Sequence, residues 1–237
     1  MQHPFLPKTS ALVIDVSLHQ GNIDWDAVRA GGVKGAVVKA GQTGLLQDDG
    51  SIKQTTFVDP KFKRNQEGAR RTMRRVGYYY WMDEQGGISP TEQARFFVKT
   101  VGPLADSEFM VLDYERRRRS KPVVIAAFKS FLDEVERLTG KVPWIYASPS
   151  LVKEYDLGKH FTRHAYWPAH WGVSAPRLVG WKNWALWQTG VGKVPGISGD
   201  VDVNQAPPSF FGVTPLRAAA LLVLGVGAGK LLLDRVG

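Results

Sequence analysis

The sequence predicts an α/β fold: a TIM-like barrel of eight strands with about five helices and a helix-poor last third. Two observations support this prediction. Short apolar segments alternate with helical patterns five times along the chain, which is typical of parallel strand pairing. Three further strand-like segments then follow with little helix between them, and eight strands suggest closure into a barrel. With 237 residues, of which 43% are hydrophobic, the chain is long enough for one such barrel.

Each predicted strand is a short apolar run, and most of the runs carry β-branched or aromatic side chains. The eight runs are Ala11–Ser17, Gly35–Ala40, Val76–Met82, Phe109–Glu115, Val142–Ala147, Ala165–Ala169, Trp184–Gln188 and Asp200–Asn204. The segment from Gln42 to Thr56 is polar, and we expect it to be a loop. Candidate catalytic groups of a barrel lie at the carboxyl ends of its strands, where Asp15, Asp113 and Glu115 are found.

Four helices carry recognisable start or stop signals. Asp24 is a candidate N-cap for a short helix that ends at Ala30. Asp59-Pro60 predicts the start of a basic helix that continues to Arg75. Ser89-Pro90-Thr91-Glu92 forms a capping-box pattern before a helix that reaches Val101. Lys121-Pro122 predicts the start of a helix that stops at Gly140.

We expect three segments: a leader of residues 1–10, a barrel domain of residues 11–212 and an apolar tail of residues 213–237. The leader lacks the apolar core of a secretory signal peptide. Thr214-Pro215 predicts a helix start, and residues 218–229 are apolar without a break. Twelve helical residues span roughly 18 Å, which is short of a bilayer's hydrocarbon core of about 30 Å. We therefore consider three interpretations of the tail: a membrane-associating helix, a helix docked on the barrel and a mobile end.

The composition limits the possible binding partners and kinds of site but does not identify one of them. The formal net charge is +9, which favours an anionic partner such as nucleic acid, an anionic membrane or bacterial cell wall. The chain has no cysteine, which excludes disulfides, thiolate metal sites and cysteine nucleophiles. Eight Trp and seven Tyr suit sugar stacking as well as core packing. His160 and His164 are four residues apart, but no third metal ligand is evident.

The strand Phe109–Glu115 ends in two carboxylates. Residues two apart in a strand point to the same face, so Asp113 and Glu115 are neighbours on the face that also carries Phe109 and Val111. Their α-carbons are then roughly 6–7 Å apart. Paired carboxylates at about that separation suit glycoside hydrolysis, which needs one protonated acid and one ionised partner.

Five motifs together resemble glycoside hydrolase family 25, the lysozymes of the Chalaropsis type, many of which are phage endolysins. The motifs are Asp15-Val16-Ser17-Leu18-His19-Gln20-Gly21-Asn22-Ile23-Asp24-Trp25, Val111-Leu112-Asp113-Tyr114-Glu115, Ile145-Tyr146-Ala147-Ser148, Leu186-Trp187-Gln188 and Val201-Asp202-Val203-Asn204. Each motif alone is weak, but the five occur in the family's order from about Leu12 to Gln205.

The resemblance implies an enzyme that cleaves the β-1,4 bond between N-acetylmuramic acid and N-acetylglucosamine in peptidoglycan. By motif position, Glu115 matches the general acid and Asp113 its carboxylate partner. Asp15 and Asp202 match acids that line the site. The candidate substrate-binding residues are Tyr79, Tyr146, Trp187, Gln188 and Lys39. No metal or organic cofactor is implied.

The sequence departs from the family pattern near the predicted site. Gly41 and Gln42 replace the usual threonine and glutamate after Lys39-Ala40, and Tyr80 replaces a histidine in the third strand. Thr189 replaces the common tyrosine after Trp187-Gln188. These changes concern substrate contacts rather than the acid pair.

Several alternatives remain open at this point. The same barrel could serve as a non-catalytic wall-binding or virion module, since fold does not fix function. A chitinase-like hydrolase also carries D-x-E at a strand end, and a nucleic-acid binder is supported by charge alone. We favour peptidoglycan strands as the partner and no nucleic acid. Without a signal peptide, we expect synthesis in the cytoplasm and release to the cell wall, or carriage in a virion.

Overall fold

Eight strands form a nearly closed barrel, and a ninth strand extends one of them as a hairpin. The computed structural model describes residues 11–46, 52–84, 87–116 and 119–212. The strands are β1 Ala11–Val16, β2 Gly35–Leu46, β3 Ile52–Val58, β4 Arg75–Trp81, β5 Phe109–Asp113, β6 Trp144–Ala147, β7 Tyr166–Pro168, β8 Trp187–Gly192 and β9 Val201–Ala206. Their order around the barrel is β7-β6-β5-β4-β2-β1-β9-β8, and β3 pairs with β2. A parallel bridge between Ala169 and Gln188 connects β7 to β8 and brings the ends of the sheet together.

Strand direction decides which residues meet at the upper rim of the barrel. Strands β1, β2, β4, β5, β6 and β7 pair in parallel. Strand β9 runs antiparallel to both β1 and β8. The first residues of β9 therefore lie at the carboxyl ends of the parallel strands, and Asp202 pairs directly with Asp15. The sheet is mixed, so the label TIM-like describes this barrel only approximately.

Six α-helices surround part of the barrel among the described residues. They are α1 Trp25–Ala30, α2 Phe62–Thr72, α3 Pro90–Val101, α4 Lys121–Thr139, α5 Pro149–Glu154 and α6 Leu157–His160. After α6, the described chain holds only a short 3-10 helix, Pro208–Phe211, so the helix-poor last third is confirmed.

The predicted caps of three helices are confirmed. The Asp24 carboxylate accepts from the backbone N–H groups of Asp26 and Ala27. Ser89 and Glu92 form the reciprocal capping box of α3. Gly140 ends α4 in the left-handed region, with φ of 68°. Helix α2 begins at Phe62, later than predicted, because Asp59 instead accepts from the backbone of Leu18 and Lys61.

The predicted loop from Gln42 to Thr56 is wrong. Strand β2 continues to Leu46, and β3 returns antiparallel to it, with Gly41 opposite Val58. Polar side chains misled the prediction because their burial here depends on contacts from distant residues. Thr43, for example, is fully buried, and its hydroxyl lies 2.6 Å from the hydroxyl of Tyr80 on β4.

Alternate residues of the strands supply two separate cores. One face of β5, with Met110 and Leu112, packs against the helices. The other face, with Phe109 and Val111, belongs to a smaller cluster that fills the barrel interior. This confirms the predicted facing of β5, and it directs Asp113 into the barrel.

Aromatic side chains close the lower end of the barrel. Phe109 stacks on Trp144 with ring centroids 4.0 Å apart, and Phe210 packs edge-on against both rings. Arg75 donates to the carbonyl of Phe210 and lies over its ring. Because this end is filled, the polar groups at the other end face the only accessible side of the barrel among the described residues.

The leader and the tail lie outside the described residues. No helix in the described ranges is both long enough and apolar enough to cross a membrane. The predicted segment boundaries and the predicted helix in the tail therefore stay predictions.

Candidate active site

The barrel interior changes from apolar to polar within one step along each strand. In β1, Val13 is followed two residues later by Asp15, and in β5 Val111 is followed by Asp113. In β6, Trp144 is followed by Tyr146. The side-chain period of two keeps each pair on the inward face. The sequence therefore places an apolar layer beneath a layer of groups that can carry or share a proton.

Asp15 is held at the centre of this polar layer by two amide side chains. Its Oδ2 accepts from Asn204 Nδ2 at 2.8 Å and from Gln188 Nε2 at 3.1 Å. Asp15 is 6% exposed, and both amides are also buried. Asn204 comes from β9, which pairs directly with β1, and Gln188 comes from β8, the next strand in the sheet. The antiparallel strands near the end of the described chain therefore complete this network.

Both amides are themselves oriented by aromatic side chains. Tyr146 OH and Trp171 Nε1 donate to Gln188 Oε1 at 2.9 and 3.0 Å. Trp167 Nε1 donates to Asn204 Oδ1 at 2.7 Å. These contacts fix each amide oxygen away from Asp15 and each NH2 group toward it. The network therefore presents donors to one carboxyl group with little freedom to rearrange.

Asp15 and Asp202 form one pair of neighbouring acids. Burial, reinforced by the charge of Asp202, raises the pKa of Asp15 to about 7, although the hydrogen bonds from Asn204 and Gln188 oppose the rise. Burial also raises the pKa of Asp202. Two carboxyl groups directly opposite in an antiparallel ladder cannot both ionise cheaply. The pair therefore retains a proton at a pH where isolated aspartates are ionised.

Asp113 and Glu115 form the second pair. Burial, reinforced by the charge of Glu115, raises the pKa of Asp113 well above its usual value. Burial also raises the pKa of Glu115, while Lys39 and Arg116 lower it. Asp113 is 5% exposed, whereas Glu115 follows the end of β5 and is exposed at the rim. The pair therefore retains a proton at a pH where isolated carboxyl groups are ionised.

Lys39 is the cation of the site. Its Nζ donates to Gln42 Oε1 at 2.7 Å and lies 5.5 Å from the centroid of the Trp81 ring. Its charge lowers the pKa of both Asp113 and Glu115. Because Gln42 is neutral, it fixes the ammonium group without cancelling its charge.

Two adjoining cavities open at this end of the barrel. The inner one, of about 70 Å³, is lined by Asp15, Tyr79, Asp113, Glu115, Tyr146, Trp167, Gln188 and Asp202. The outer one, of about 320 Å³, shares Glu115, Tyr146 and Gln188 with the inner one and adds Trp171 and His170. The four predicted acids therefore meet in one pit, which continues into a groove large enough for a sugar ring.

The structure brings most, but not all, of the predicted binding residues to these cavities. Tyr79, Tyr146 and Gln188 line the inner cavity. Trp187 does not: its indole N–H donates to the carbonyl of His170, and its ring packs against Trp184. Trp187 precedes the inward-facing Gln188, so the period of two turns it outward.

Sequence reasoning missed two other tryptophans. Trp167 lines the inner cavity, and Trp171 lines the outer one with 51% of its surface exposed. Alternation along β7 would have indicated Trp167 as inward. No local signal marks Trp171, which belongs to a segment without helix or strand.

Among the described residues, no group of three or more His, Cys, Asp or Glu side chains is arranged to hold a metal ion. His164 is buried, and its Nδ1 lies 2.8 Å from the carbonyl of Pro143.

Comparison with known proteins supports the interpretation of this site as that of a glycosidase. The model for glycosyl hydrolases family 25 matches residues 14–197. The chain is 33% identical over 197 residues to the uncharacterized protein YegX of Escherichia coli K12, covering 81% of this chain and 67% of that protein. It is 29% identical over 206 residues to Lysozyme M1 of Streptomyces globisporus, covering 81% and 66%. The chain thus spans about two thirds of the length of these curated relatives.

Solved structures share the barrel. The bacterial lysozyme from Streptomyces coelicolor superposes with a TM-score of 0.73 at 27% identity, covering 84% of this chain and 93% of that one. A family 25 glycosyl hydrolase from Bacillus anthracis has the same fold, with a TM-score of 0.72 at 23% identity, covering 87% and 93%. The family model covers well over half of the chain, and the acids of the predicted motifs converge in one pit. The chain therefore belongs to glycosyl hydrolase family 25.

Proposed function

We propose that this family 25 glycosidase is a lysozyme that cuts peptidoglycan between N-acetylmuramic acid and N-acetylglucosamine, with Glu115 as general acid and Asp113 as its carboxylate partner. The observation that carries the proposal is the convergence of two acid pairs in one pit at the open end of the barrel. Asp113 and Glu115 differ sharply in exposure, and such differences in environment separate acid from base roles in glycosidases.

Catalysis needs the proton of this pair on Glu115, with Asp113 ionised. Asp113 Oδ1 is buried and accepts no hydrogen bond from a described residue. A substrate N–H placed there would stabilise the ionised form of Asp113. A sugar in the outer groove would also displace water from Glu115 and raise its pKa. Both effects of the bound substrate favour the proton on Glu115, which donates it to the glycosidic oxygen while Asp113 stabilises positive charge at the sugar carbon.

The remaining groups position these two. Asp15 and Asp202 retain a proton between them, which limits the negative charge in the pit. Tyr79, Tyr146 and Gln188 line the sugar-facing wall, and Lys39 lowers the pKa of the acid pair from the side of β2. Trp171 offers an exposed aromatic face at the groove, suited to stacking on a sugar ring.

Replacement of Glu115 by Gln tests the proposal. We expect the Glu115→Gln variant to lose about 10²–10⁴-fold in the rate of wall solubilisation while still binding wall, since general acid catalysis contributes about that much. Glu67→Gln, on the exposed side of α2, is the matched control. Mass spectrometry of the released fragments should show N-acetylmuramic acid at the new reducing end. Unchanged activity of Glu115→Gln would refute the assignment.

The alternative of a non-catalytic wall-binding or virion module gives a different result. In that case the wild-type chain would bind purified wall and release no fragments. A chitinase-like activity would release reducing ends from chitin but not from peptidoglycan. Family membership and the four converging carboxyl groups favour the lysozyme over both alternatives.

We also propose that the apolar tail contacts membrane and that the enzyme reaches the wall by release from the cytoplasm or in a virion. The support is the unbroken apolar run of residues 218–229. Flotation with liposomes, comparing the full chain with a chain cut after Gly212, tests the membrane contact. Equal flotation of the two would contradict it.

A further inference from the structure

Arg116 follows the proposed general acid directly, yet its charge is paired away from that acid. Its Nη1 lies 2.7 Å from Asp83 Oδ2, and the two side chains are only 10% and 1% exposed. The guanidinium carbon lies 3.8 Å from the centroid of the Trp81 ring, a cation–π contact. A buried cation one residue from a general acid would ordinarily hold that acid ionised. The buried anion of Asp83 opposes that effect.

Asp83 is held in place by a buried amide. Its backbone N–H donates to Gln93 Oε1 at 3.1 Å, and its carbonyl accepts from Gln93 Nε2 at 2.6 Å. Gln93 is fully buried on α3, one turn after the capping box, and it also donates to the carbonyl of Ile88. Asp83, the ion-pair partner of Arg116, is therefore anchored to a helix.

Glu115 itself lies beyond the end of β5, but the chain on both sides of it is pinned. Upstream, the backbone N–H of Tyr114 donates to the carbonyl of Tyr146, and Met82 donates to the carbonyl of Asp113. Downstream, Arg116 is tied to the segment after β4. With one buried anchor on each side, the backbone of Glu115 has little freedom to move from the rim of the pit.

We propose that Trp81, Asp83 and Arg116 form a positioning site for Glu115, in which the Asp83–Arg116 ion pair fixes the backbone of the acid and offsets part of the charge of the adjacent cation. This inference rests on the proposed function. Arg116 and Asp83 are positioning residues here, because neither lines the catalytic pit.

The charged groups that face Glu115 set the pH dependence of the site. Among the described residues these are Asp15 on β1, Lys39 on β2, Asp113 on β5, Asp202 on β9 and Arg116 itself. The titratable side chains of Tyr79, Tyr146 and His170 line the same cavities, and Glu84 acts electrostatically on both Asp83 and Arg116. Asp83→Asn removes one negative charge beside Arg116, so the positive charge near Glu115 has a stronger effect and the proton on Glu115 is lost more easily. Arg116→Gln removes the cation and leaves the Asp83 anion, so the proton is held more tightly. The two variants should therefore shift the pH profile in opposite directions.

The test is the alkaline limb of kcat/KM for wall solubilisation, with stability measured alongside. We expect Asp83→Asn to move this limb down by roughly one pH unit and Arg116→Gln to move it up by a similar amount, since a charge near an acid shifts its pKa by about that much. The double variant should return the limb to within a few tenths of wild type and keep a lowered kcat, because the anchor is lost.

A matched ion pair on the opposite end of β5 provides the control. Arg70 and Glu108 pair at 2.7 Å, with Glu108 buried, at the lower end of the barrel. Glu108→Gln should lower stability without moving the limb. Shifts of equal sign in Asp83→Asn and Arg116→Gln, or shifts that match Glu108→Gln, would overturn the inference. If Glu115→Gln leaves activity unchanged, the proposed function fails separately.

Discussion

Asp15→Asn gives the most direct test of how the barrel holds a proton. Burial raises the pKa of Asp15 from 3.8 to about 7, so the folded protein binds this proton more tightly than the unfolded chain. A difference of about three pKa units, at 1.36 kcal/mol each, corresponds to about 4 kcal/mol. A raised pKa in the folded state stabilises the protein below the unfolded pKa, and this stabilisation is lost as pH rises toward the folded pKa. Between pH 4 and pH 8, Asp15 thus lowers the free energy of unfolding of the wild type by up to about that amount.

The asparagine introduced by this substitution cannot ionise, so the variant does not lose stability as the pH rises. The substitution does, however, lower the free energy of unfolding by the same amount at every pH. Its amide NH2 would face Gln188 Nε2, and Gln188 cannot turn round because Tyr146 and Trp171 hold its oxygen. An unpaired buried donor costs about 1–3 kcal/mol. That cost does not depend on pH, so the slope with pH is the diagnostic quantity rather than the stability at one pH.

The assay is chemical denaturation of wild type and Asp15→Asn from pH 4 to pH 8. We expect the free energy of unfolding of the variant, relative to that of the wild type, to increase steadily as pH rises, by a total approaching about 4 kcal/mol. The same substitution at Asp133, on the exposed side of α4, controls for loss of one carboxyl group. A stability difference that stays constant across this range would show that Asp15 is ionised in the folded protein and would refute the reasoning.

Three further predictions concern the cation, the core and the groove. Lys39→Met removes the charge that lowers the pKa of Asp113 and Glu115, so the alkaline limb of kcat/KM should move to higher pH; an unchanged limb would contradict this. Gly77→Ala would press a Cβ into the Phe109 ring, which is stacked on Trp144. Thermal or chemical denaturation should therefore show a free energy of unfolding lower by about 1–3 kcal/mol, and an unchanged value would contradict the close packing. Trp171→Ala removes a half-exposed ring from the groove, so KM for wall should rise several-fold with little change in Tm; equal KM values would exclude a sugar contact.

The pair of Asp113 and Glu115 shows what a local sequence pattern can predict and what it cannot. The period of two along Phe109–Asp113 predicted which side chains face the barrel interior, and the structure confirms it. The raised pKa values of that pair were not predictable from the same strand. They depend on how deeply Asp113 is buried and on charges from β2 and β9, which are not neighbours of β5 in the sheet.

The structure differs from the sequence-based predictions at positions whose burial depends on residues far away in the chain. The hairpin of β2 and β3 was taken for a loop because its side chains are polar, although Thr43 becomes buried against Tyr80 from another strand. Trp187 was expected at the sugar and packs outside the pit instead. Trp171 reaches the groove from a segment without regular structure, so no periodicity could have revealed it.

The sequence by itself determined the order of the eight barrel strands, the caps at Asp24, Ser89 and Gly140, and the placement of acids at strand ends. These features depend on residues within a few positions of one another. Only the tertiary structure decided that β9 runs against its neighbours and sets Asp202 opposite Asp15, and that Arg116 pairs with Asp83 from the segment after β4. Both depend on pairings between residues far apart in the chain, and no local pattern encodes their geometry.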